Sequence, residues 1–520
     1  MDRFSEQVVG TARGPAAERV RETVTHEAAE EFILPDYLPE IRKILSCTAE
    51  ALPENKYVDG PCVESSGLVL YSVLYLGNGP ELCSAPLQSE YSVKIRVRGG
   101  TEGVGARDVG VTTVCESVSC RATGPRSLTL VAKLVTNVLA TGRKSAEPAV
   151  TAASGGETAD PTPADLISIE YLRRPVRCSA ARFYGTSGDV SGEFSVPAAQ
   201  GDGEIVAPAV VRCTGTAYVT DAAWDGGGLR VKGEVRVRAL TSGSDGKYFS
   251  VDSSAPFEER IDPGAEFSPD GDAAGAAFAR LASLTVDDAG GGRFAWTAEY
   301  DIDGEIWETG DGEAVCDAFS TACADETEFV DVDAVRFAGG IDATFSAGSS
   351  VPAPSARNRT VVTSSGKVTG CRAEVRDDGT VVFTGNCTVT AVTAGDGAAS
   401  PEEVTFPVRY ERSVPALAGD AGSNGAPDVR WVMKVISTGA RLDGDKLSAD
   451  AEIAVEASVT ARERIRAVSG VILKKDEPAE TDGNVIRLYY PDEGETAWDI
   501  AKRYRVSPES VSGGNPVVIT

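Results

Sequence analysis

The chain has 520 residues, and 50 Lys plus Arg against 78 Asp plus Glu leave a formal net charge of -28. At roughly 150 residues per domain the length predicts three or four domains, and the excess of carboxylates argues against a nucleic-acid or anionic-lipid binder, which needs clustered Lys and Arg. A single histidine, His26, excludes His-rich zinc sites and leaves a Ser-His-Asp triad only one base.

From the N-terminus, Met1 to Val24 lacks the basic start and apolar run of a secretory signal. No stretch reaches the ~18 apolar residues of a membrane span. The expectation is a soluble, intracellular protein without membrane insertion. His26 sits in ERVRETVTHEAAEEF, read as a charged helical approach to the first β module with the imidazole exposed beside Glu27. Phe32 to Leu45 follows as FILPDYLPEIRKIL. Pro35 and Pro39 hold the residues before them extended, and Glu40 to Leu45 would supply a helical turn or two that packs Ile41, Ile44 and Leu45 on a core.

Beyond this point short β-branched runs alternate with polar residues, as in Leu68 to Leu76 and Leu229 to Leu240, which is the period of half-buried strands. A Cys in a small-residue setting recurs about one domain length apart, as ILSCTAEA (Cys47), VVRCTGTA (Cys213) and VTGCRAEV (Cys371). A strand pair follows each, from Gly67, Leu229 and Thr380. Next comes an extended stretch with an aromatic, from Cys83, Phe249 and Val404, and finally a hairpin, from Cys115, Leu281 and Met433, closed by a Gly or Asp-Gly turn. Two copies share a lead-in, EFILP at Glu31 to Pro35 and EFSVP at Glu193 to Pro197; the third shows no clear equivalent. The order of elements, kept three times, predicts a triplicated β domain.

Segments dense in Gly, Ala, Pro, Ser and acid read as linkers: Ser145 to Ala164, Asp311 to Asp333, and Lys475 to Gly483. They place domains at 1–144, with the helical lead-in, 165–310, 334–474 and 484–520. In the last, Val485 to Tyr490 reads as a strand and Thr496 to Tyr504 as a capped helix with Ala497, Ile500, Ala501 and Tyr504 on one face. Ser507-Pro508-Glu509 starts a second short helix, and Val517 to Thr520 is a minimal second strand. The fold class expected is mainly β: three repeated antiparallel, sandwich-like domains plus a small βααβ module.

The 11 cysteines are singletons without a C-x-x-C, and read as small buried thiols of a reducing cytosol. No G-x-x-x-x-G-K-[ST], G-x-S-x-G or H-E-x-x-H occurs in a fitting context. Gly226-Gly227-Gly228 and Gly290-Gly291-Gly292 precede strands and read as hairpin turns. Asp377-Asp378-Gly379 and Asp443-Gly444-Asp445 read as solvated turns rather than calcium loops. No enzyme activity, cofactor or metal is expected.

Leu34, Pro35, Asp36, Pro39, Glu40, Ile41, Ile44 and Leu45, followed by VLYSVLYLGN and the hairpin, resemble the SPOCS family of spore-coat domains, whose members open on such a segment and continue as a β-rich module. Gly494-Glu495-Thr496-Ala497-Trp498-Asp499-Ile500-Ala501 looks like the centre of a LysM domain, a βααβ fold. That resemblance implies a shallow groove for N-acetylglucosamine polymers between a first loop of Asp492, Glu493, Gly494, Glu495 and Thr496 and a second loop beginning at Asn515 and Pro516. The second half departs from the family, since Ser512-Gly513-Gly514 replaces residues that usually extend the second helix. The combination resembles the SipL-type family of spore morphogenetic proteins. It implies a non-catalytic scaffold in the mother-cell cytosol whose LysM-like module engages the basement-layer coat ATPase at the forespore surface while the β domains contact other coat proteins. The competing expectation is a peptidoglycan- or cortex-binding protein that uses the same groove on N-acetylglucosamine glycans.

Overall fold

A computed structural model of the chain describes residues 16–79, 81–97, 105–144, 148–154, 157–196, 208–243, 247–264, 272–356, 358–395, 398–417, 425–479, 486–513 and 517–519. The first unit contains β1 (Ala16–Ile33), β2 (Lys43–Asp59), β3 (Cys62–Leu76), β4 (Leu82–Arg96), β5 (Val109–Ala122) and β6 (Ser127–Lys144). Short strands β7 (Ala149–Ser154) and β8 (Glu157–Ala159) and the helical turn α1 (Pro163–Ile167) lead to the second unit. That unit is β9 (Ile169–Ser195), β10 (Ala209–Trp224), β11 (Leu229–Ser242), β12 (Tyr248–Ile261), β13 (Asp272–Gly290) and β14 (Arg293–Ser320). The third is β15 (Cys323–Pro352), β16 (Thr360–Val375), β17 (Thr380–Gly395), β18 (Ala398–Ser413), β19 (Gly425–Asp443) and β20 (Lys446–Pro478).

Each unit folds the same way. Its second, third and fourth strands form one antiparallel sheet, β2-β3-β4, β10-β11-β12 and β16-β17-β18. Its last strand pairs with both the fifth and the first, as β5-β6-β1, β13-β14-β9 and β19-β20-β15. Period-2 patterning places the apolar faces of the two sheets against each other. Val69, Tyr71 and Val73 thus meet Leu128, Leu130 and Leu134 in the first unit. Val231, Val235 and Val237 meet Trp296, Tyr300 and Ile302 in the second, and Val389 and Ala391 meet Leu447, Ala449 and Ile453 in the third. The triplicated, mainly β fold expected from sequence is the one the chain adopts.

Shared irregularities fix the correspondence between units. The second strand of each unit skips one residue in its register, Leu45, Val211 and Val362, and the fifth skips Glu116, Ala282 and Ile436. Counted from the first of these bulges, the third-unit counterpart of Cys47 and Cys213 is Ser364, not Cys371. The lead-in also has a third copy. Leu34 N donates to Arg126 O at 2.8 Å, Val196 N to Gly292 O at 2.8 Å, and Ala353 N to Asp445 O at 2.6 Å, so Ala353 stands where Leu34 and Val196 do, and a proline follows each in the sequence. Each segment read as a strand pair is one long central strand, β3, β11 or β17. The turns at Gly290-Gly291-Gly292 and Gly444 carry positive φ throughout, a conformation that glycine adopts without Cβ strain.

Several sequence expectations are corrected. The approach containing His26 is strand β1, because Ser127–Lys144 offers it a full-length antiparallel partner. His26 is half-buried: its Nε2 lies 3.0 Å from Thr136 Oγ1, its ring is 5.6 Å from Tyr91, and burial lowers its pKa. Glu40 to Leu45 forms no helical turn; the chain runs into β2 from Lys43, with Leu45 buried. The acidic stretch Asp311 to Asp333 is no linker. Residues 311–320 finish β14 against β9, and 323–333 open β15 against β20. Cations on β20 face its carboxylates, with Lys474 3.4 Å from Glu326 and Arg462 3.8 Å from Asp333. The expected boundaries at 310 and 334 therefore fall inside continuous strands. Residues 149–153 add a parallel strand to β20, and 475–478 still belong to β20.

The units close on one another in a cycle. β4 packs on β10, β12 on β16 and β18 on β2. Leu82 N donates to Tyr248 Oη at 3.0 Å, and Ser250 Oγ to Val362 O at 3.0 Å. Arg21 reaches from the first unit to Asp428 of the third at 3.0 Å. The three bulge residues Leu45, Val211 and Val362 meet in one apolar cluster with Leu74, Leu76, Leu240 and Val392.

Between the second and third units, Glu456 is fully buried, accepts from Val219 N at 2.8 Å and pairs with Lys434 at 2.7 Å. Asp342 lies beside it. Burial first, then the Glu456 and Asp221 charges, push its carboxyl up to about 7, and its Oδ1 is buried without a hydrogen-bond partner. A carboxyl whose folded pKa exceeds its unfolded value costs nothing below the unfolded pKa, and its penalty grows as pH rises toward the folded one. Asp342→Asn is therefore expected to stabilise the chain by up to about 4 kcal/mol at pH 8 and to leave it nearly unchanged near pH 4. Urea unfolding at the two pH values checks this.

Candidate functional site

The C-terminal module consists of β21 (Arg487–Tyr489), α2 (Ala497–Tyr504), a 3-10 turn at Pro508–Ser510, β22 (Val511–Gly513) and β23 (Val517–Ile519). β23 lies between β21 and β22, antiparallel to both. Thr496 opens α2 as expected: its Oγ1 accepts from Asp499 N at 3.3 Å, and Asp499 Oδ2 accepts from Thr496 N at 2.8 Å, a reciprocal cap. Arg505, at φ 53°, ends the helix in the left-handed region. Ile500 packs on Val517 and Ile519, and Tyr504 meets Tyr489 edge-on at 5.6 Å.

The expected first loop divides into two groups. Asp492, Glu493 and Gly494 form an exposed turn, with Gly494 at φ +87°. Glu495 and Thr496 are occupied inside the module. The Glu495 carboxylate accepts from Tyr489 Oη at 2.9 Å and Asp492 N at 3.1 Å and pairs with Arg503 at 2.8 Å, while Thr496 caps α2. The hydrogen bond to Glu495 raises the Tyr489 pKa. Asn515 and Pro516, expected to open the second loop, lie outside the described residues, as do Asn484, Val485 and Thr520 at the ends of the module.

Sequence reasoning missed how the module sits on the body. Trp498 meets Phe319 edge-on at 4.9 Å, and its Nε1 donates to Asp317 Oδ2 at 2.9 Å. Lys502 Nζ reaches both Asp317 oxygens, at 2.6 and 2.7 Å. Arg505 Nη1 donates to Ser320 O at 2.8 Å and Asp325 Oδ1 at 2.7 Å. Trp498, Lys502 and Arg505 recur at helical spacing, so one face of α2 is committed to the junction of β14 and β15. Asp317 follows a register shift in β14. A Trp followed by cations four and seven residues on was the available signal; its acceptor lay in the segment read as a linker.

That seating leaves a different face outward. Ile486, Leu488 and Tyr490 are 70%, 65% and 68% exposed. They alternate along edge strand β21 and the residue at each of its ends, while Arg487 and Tyr489 are half-buried. A row of large apolar side chains in water beside the acidic turn Asp492-Glu493 is the mark of a contact surface. It can bury apolar area and attract cations.

Among the described residues no group of three or more His, Cys, Asp or Glu is placed to hold a metal ion, and no helix is long and apolar enough to cross a membrane. None of the eleven cysteines forms a disulfide; Cys323 and Cys387 are buried and the rest half-buried. No protein-family model, no curated protein and no solved structure matches the chain.

Proposed function

We propose that the chain is a non-catalytic scaffold in spore coat and envelope assembly, tethering coat components to the forespore surface through its LysM-like C-terminal module. The SPOCS-like opening at Leu34 to Leu45 and the LysM-like run Gly494 to Ala501 lead to this reading, which places the chain in the mother-cell cytoplasm. The observation that carries docking onto protein is the row Ile486, Leu488 and Tyr490, which has no covering element among the described residues. A protein partner buries such a row, whereas a neutral sugar is held chiefly by backbone polar groups of a groove. By resemblance the partner is the basement-layer coat ATPase. Further contacts from the three β units to other coat proteins would raise effective concentration without any single strong site.

The alternative, a peptidoglycan or cortex binder of N-acetylglucosamine glycans, is favoured by the exposed Asp492-Glu493-Gly494 turn alone. The full chain and its Ile486→Ser, Leu488→Ser variant are to be titrated with purified coat ATPase and with chitin oligomers. The scaffold reading expects ATPase binding that weakens at least roughly tenfold in the variant. Chitin-oligomer binding with no ATPase binding overturns it in favour of the glycan reading.

A further inference from the structure

The cycle of units encloses a cavity of about 1460 Å³, lined by the second and fifth strands of all three. Leu45 and Val211 of the apolar bulge cluster are among its lining residues. Exposed Glu116, Ser117 and Glu403 line it elsewhere, so solvent reaches the interior.

Arg212, the residue after the Val211 bulge, lines the cavity and is 9% exposed. Its Nη1 donates to Ser46 Oγ at 2.9 Å, and among the described residues no carboxylate pairs with it. The nearby Cys47 thiol supplies no counter-charge, because a hydrogen bond with Cys120 and burial push its pKa far up and keep it neutral. Burial pushes the guanidinium itself down to about 10, so it remains charged at neutral pH. A buried charge with a single neutral partner is costly, and several of its five donors are left to fill.

The same cavity holds hydroxyls, a second cation and carboxylates; Glu234, Asp252, Asp303 and Glu456 are neutralised by cations, while Glu50 and Glu403 have no cation partner among the described residues. Thr48, Thr214 and Ser365 stand at corresponding positions, three residues beyond the bulge in each unit, and all line the cavity; the Thr214 hydroxyl makes a long, 3.5 Å hydrogen bond to Arg238 O that an anion would have to replace. Lys367 of the third unit adds a second cation in the same cavity. The other cationic side chains there are committed. Arg280 pairs with Asp301 at 3.2 Å, Lys434 with Glu456 at 2.7 Å, Arg236 with Glu452 and Glu234, and Arg238 with Asp252 at 2.6 Å.

We propose that the axial cavity is a binding site for a small oxyanion, a phosphate or carboxylate group, held by the Arg212 guanidinium with hydroxyls of Ser46, Thr48, Thr214 and Ser365 contributed by all three units. The planar fork of Arg pairs with either group through two parallel hydrogen bonds. Because the hydroxyls come from three units, the ligand would bind only the closed cycle and stabilise it.

The test uses the full chain in chloride buffer at constant ionic strength, titrated with inorganic phosphate in one arm and acetate in the other, with thermal unfolding and calorimetry as readouts. Saturable binding of one or both ions with a rising melting temperature is expected, and the arm that saturates at lower concentration identifies the group. Arg212→Met should abolish it while leaving the ion-free melting temperature equal or higher, since a buried unpaired charge is removed. If that variant does not fold, Thr214→Val should weaken binding roughly tenfold. No saturable binding by the unsubstituted chain, or unchanged affinity in Arg212→Met or, failing that, Thr214→Val, overturns the proposal.

Discussion

Trp498→Ala is expected to release the C-terminal module from the three-unit body. The indole is the aromatic side chain of α2 that bridges the two, packing against Phe319 and donating to Asp317. Truncating a buried Trp costs about 3–5 kcal/mol, more than the remaining Lys502 and Arg505 contacts are expected to hold, since partly exposed ion pairs contribute about 1 kcal/mol or less. Amide exchange in α2 and protease cleavage after Ala479 should rise sharply, while melting of the β units stays in place. Because Trp498 also packs on Val506 and Val511 inside the module, Asp317→Ala provides the body-side arm. It removes the acceptor of Trp498 and Lys502 without touching the module's own core, and should raise the same exchange rates to a smaller extent. Unchanged exchange in both variants would mean the seating carries no energy.

Glu305→Ala should be the most damaging single change in the body. Arg430, on β19 of the third unit, pairs with Glu305 of β14 at 3.0 Å and donates to Thr112 of β5 at 2.8 Å, so one guanidinium ties three units. Ser458 Oγ donates to the other Glu305 oxygen at 3.0 Å. Glu305 is fully buried and Arg430 is 8% exposed, with Phe278 against the guanidinium at 4.2 Å. Removing the carboxylate strands a charge in a low-dielectric interior and costs about 3–5 kcal/mol. Glu305→Met with Arg430→Met deletes both charges and should cost far less. The first urea transition of the full chain measures both. A double variant as unstable as Glu305→Ala would show that packing rather than charge is lost.

The parts of this fold legible in sequence are those set by local pattern. Alternation in β3 and β11 marked central strands because their inward residues, Val69 to Val73 and Val231 to Val237, are apolar on a strict period of two. The hairpin glycines and the Thr496 to Asp499 cap were legible for the same reason, since their partners lie within a few residues. Features set by distant partners were hidden. Composition read Asp311 to Asp333 as a linker because the cations that answer its carboxylates, Arg462 and Lys474, lie over a hundred residues away on β20. His26 looked helical because its charged neighbours suit a solvated helix, whereas β6 supplies a ladder along the whole segment. Cys371 was matched to Cys47 and Cys213 by residue type, but the bulge at Val362 sets the register and puts Ser364 there.

The candidate site follows the same division. A loop at Asp492 to Thr496 was legible from the sequence, and its first three residues form an exposed turn. The withdrawal of Glu495 and Thr496 into the module, and the outward row of Ile486, Leu488 and Tyr490, depended on which face of α2 docks. That orientation is written partly in Asp317 and Phe319, far from the module in sequence.

The account is tested most directly by amide hydrogen exchange on the full chain, alone and with purified coat ATPase. It predicts new protection in Ile486 to Tyr490, with the Asp317 to Asp325 junction unchanged. Protection confined to the β units, or protection of Asp492 to Gly494 by chitin oligomers with none from the ATPase, would contradict it.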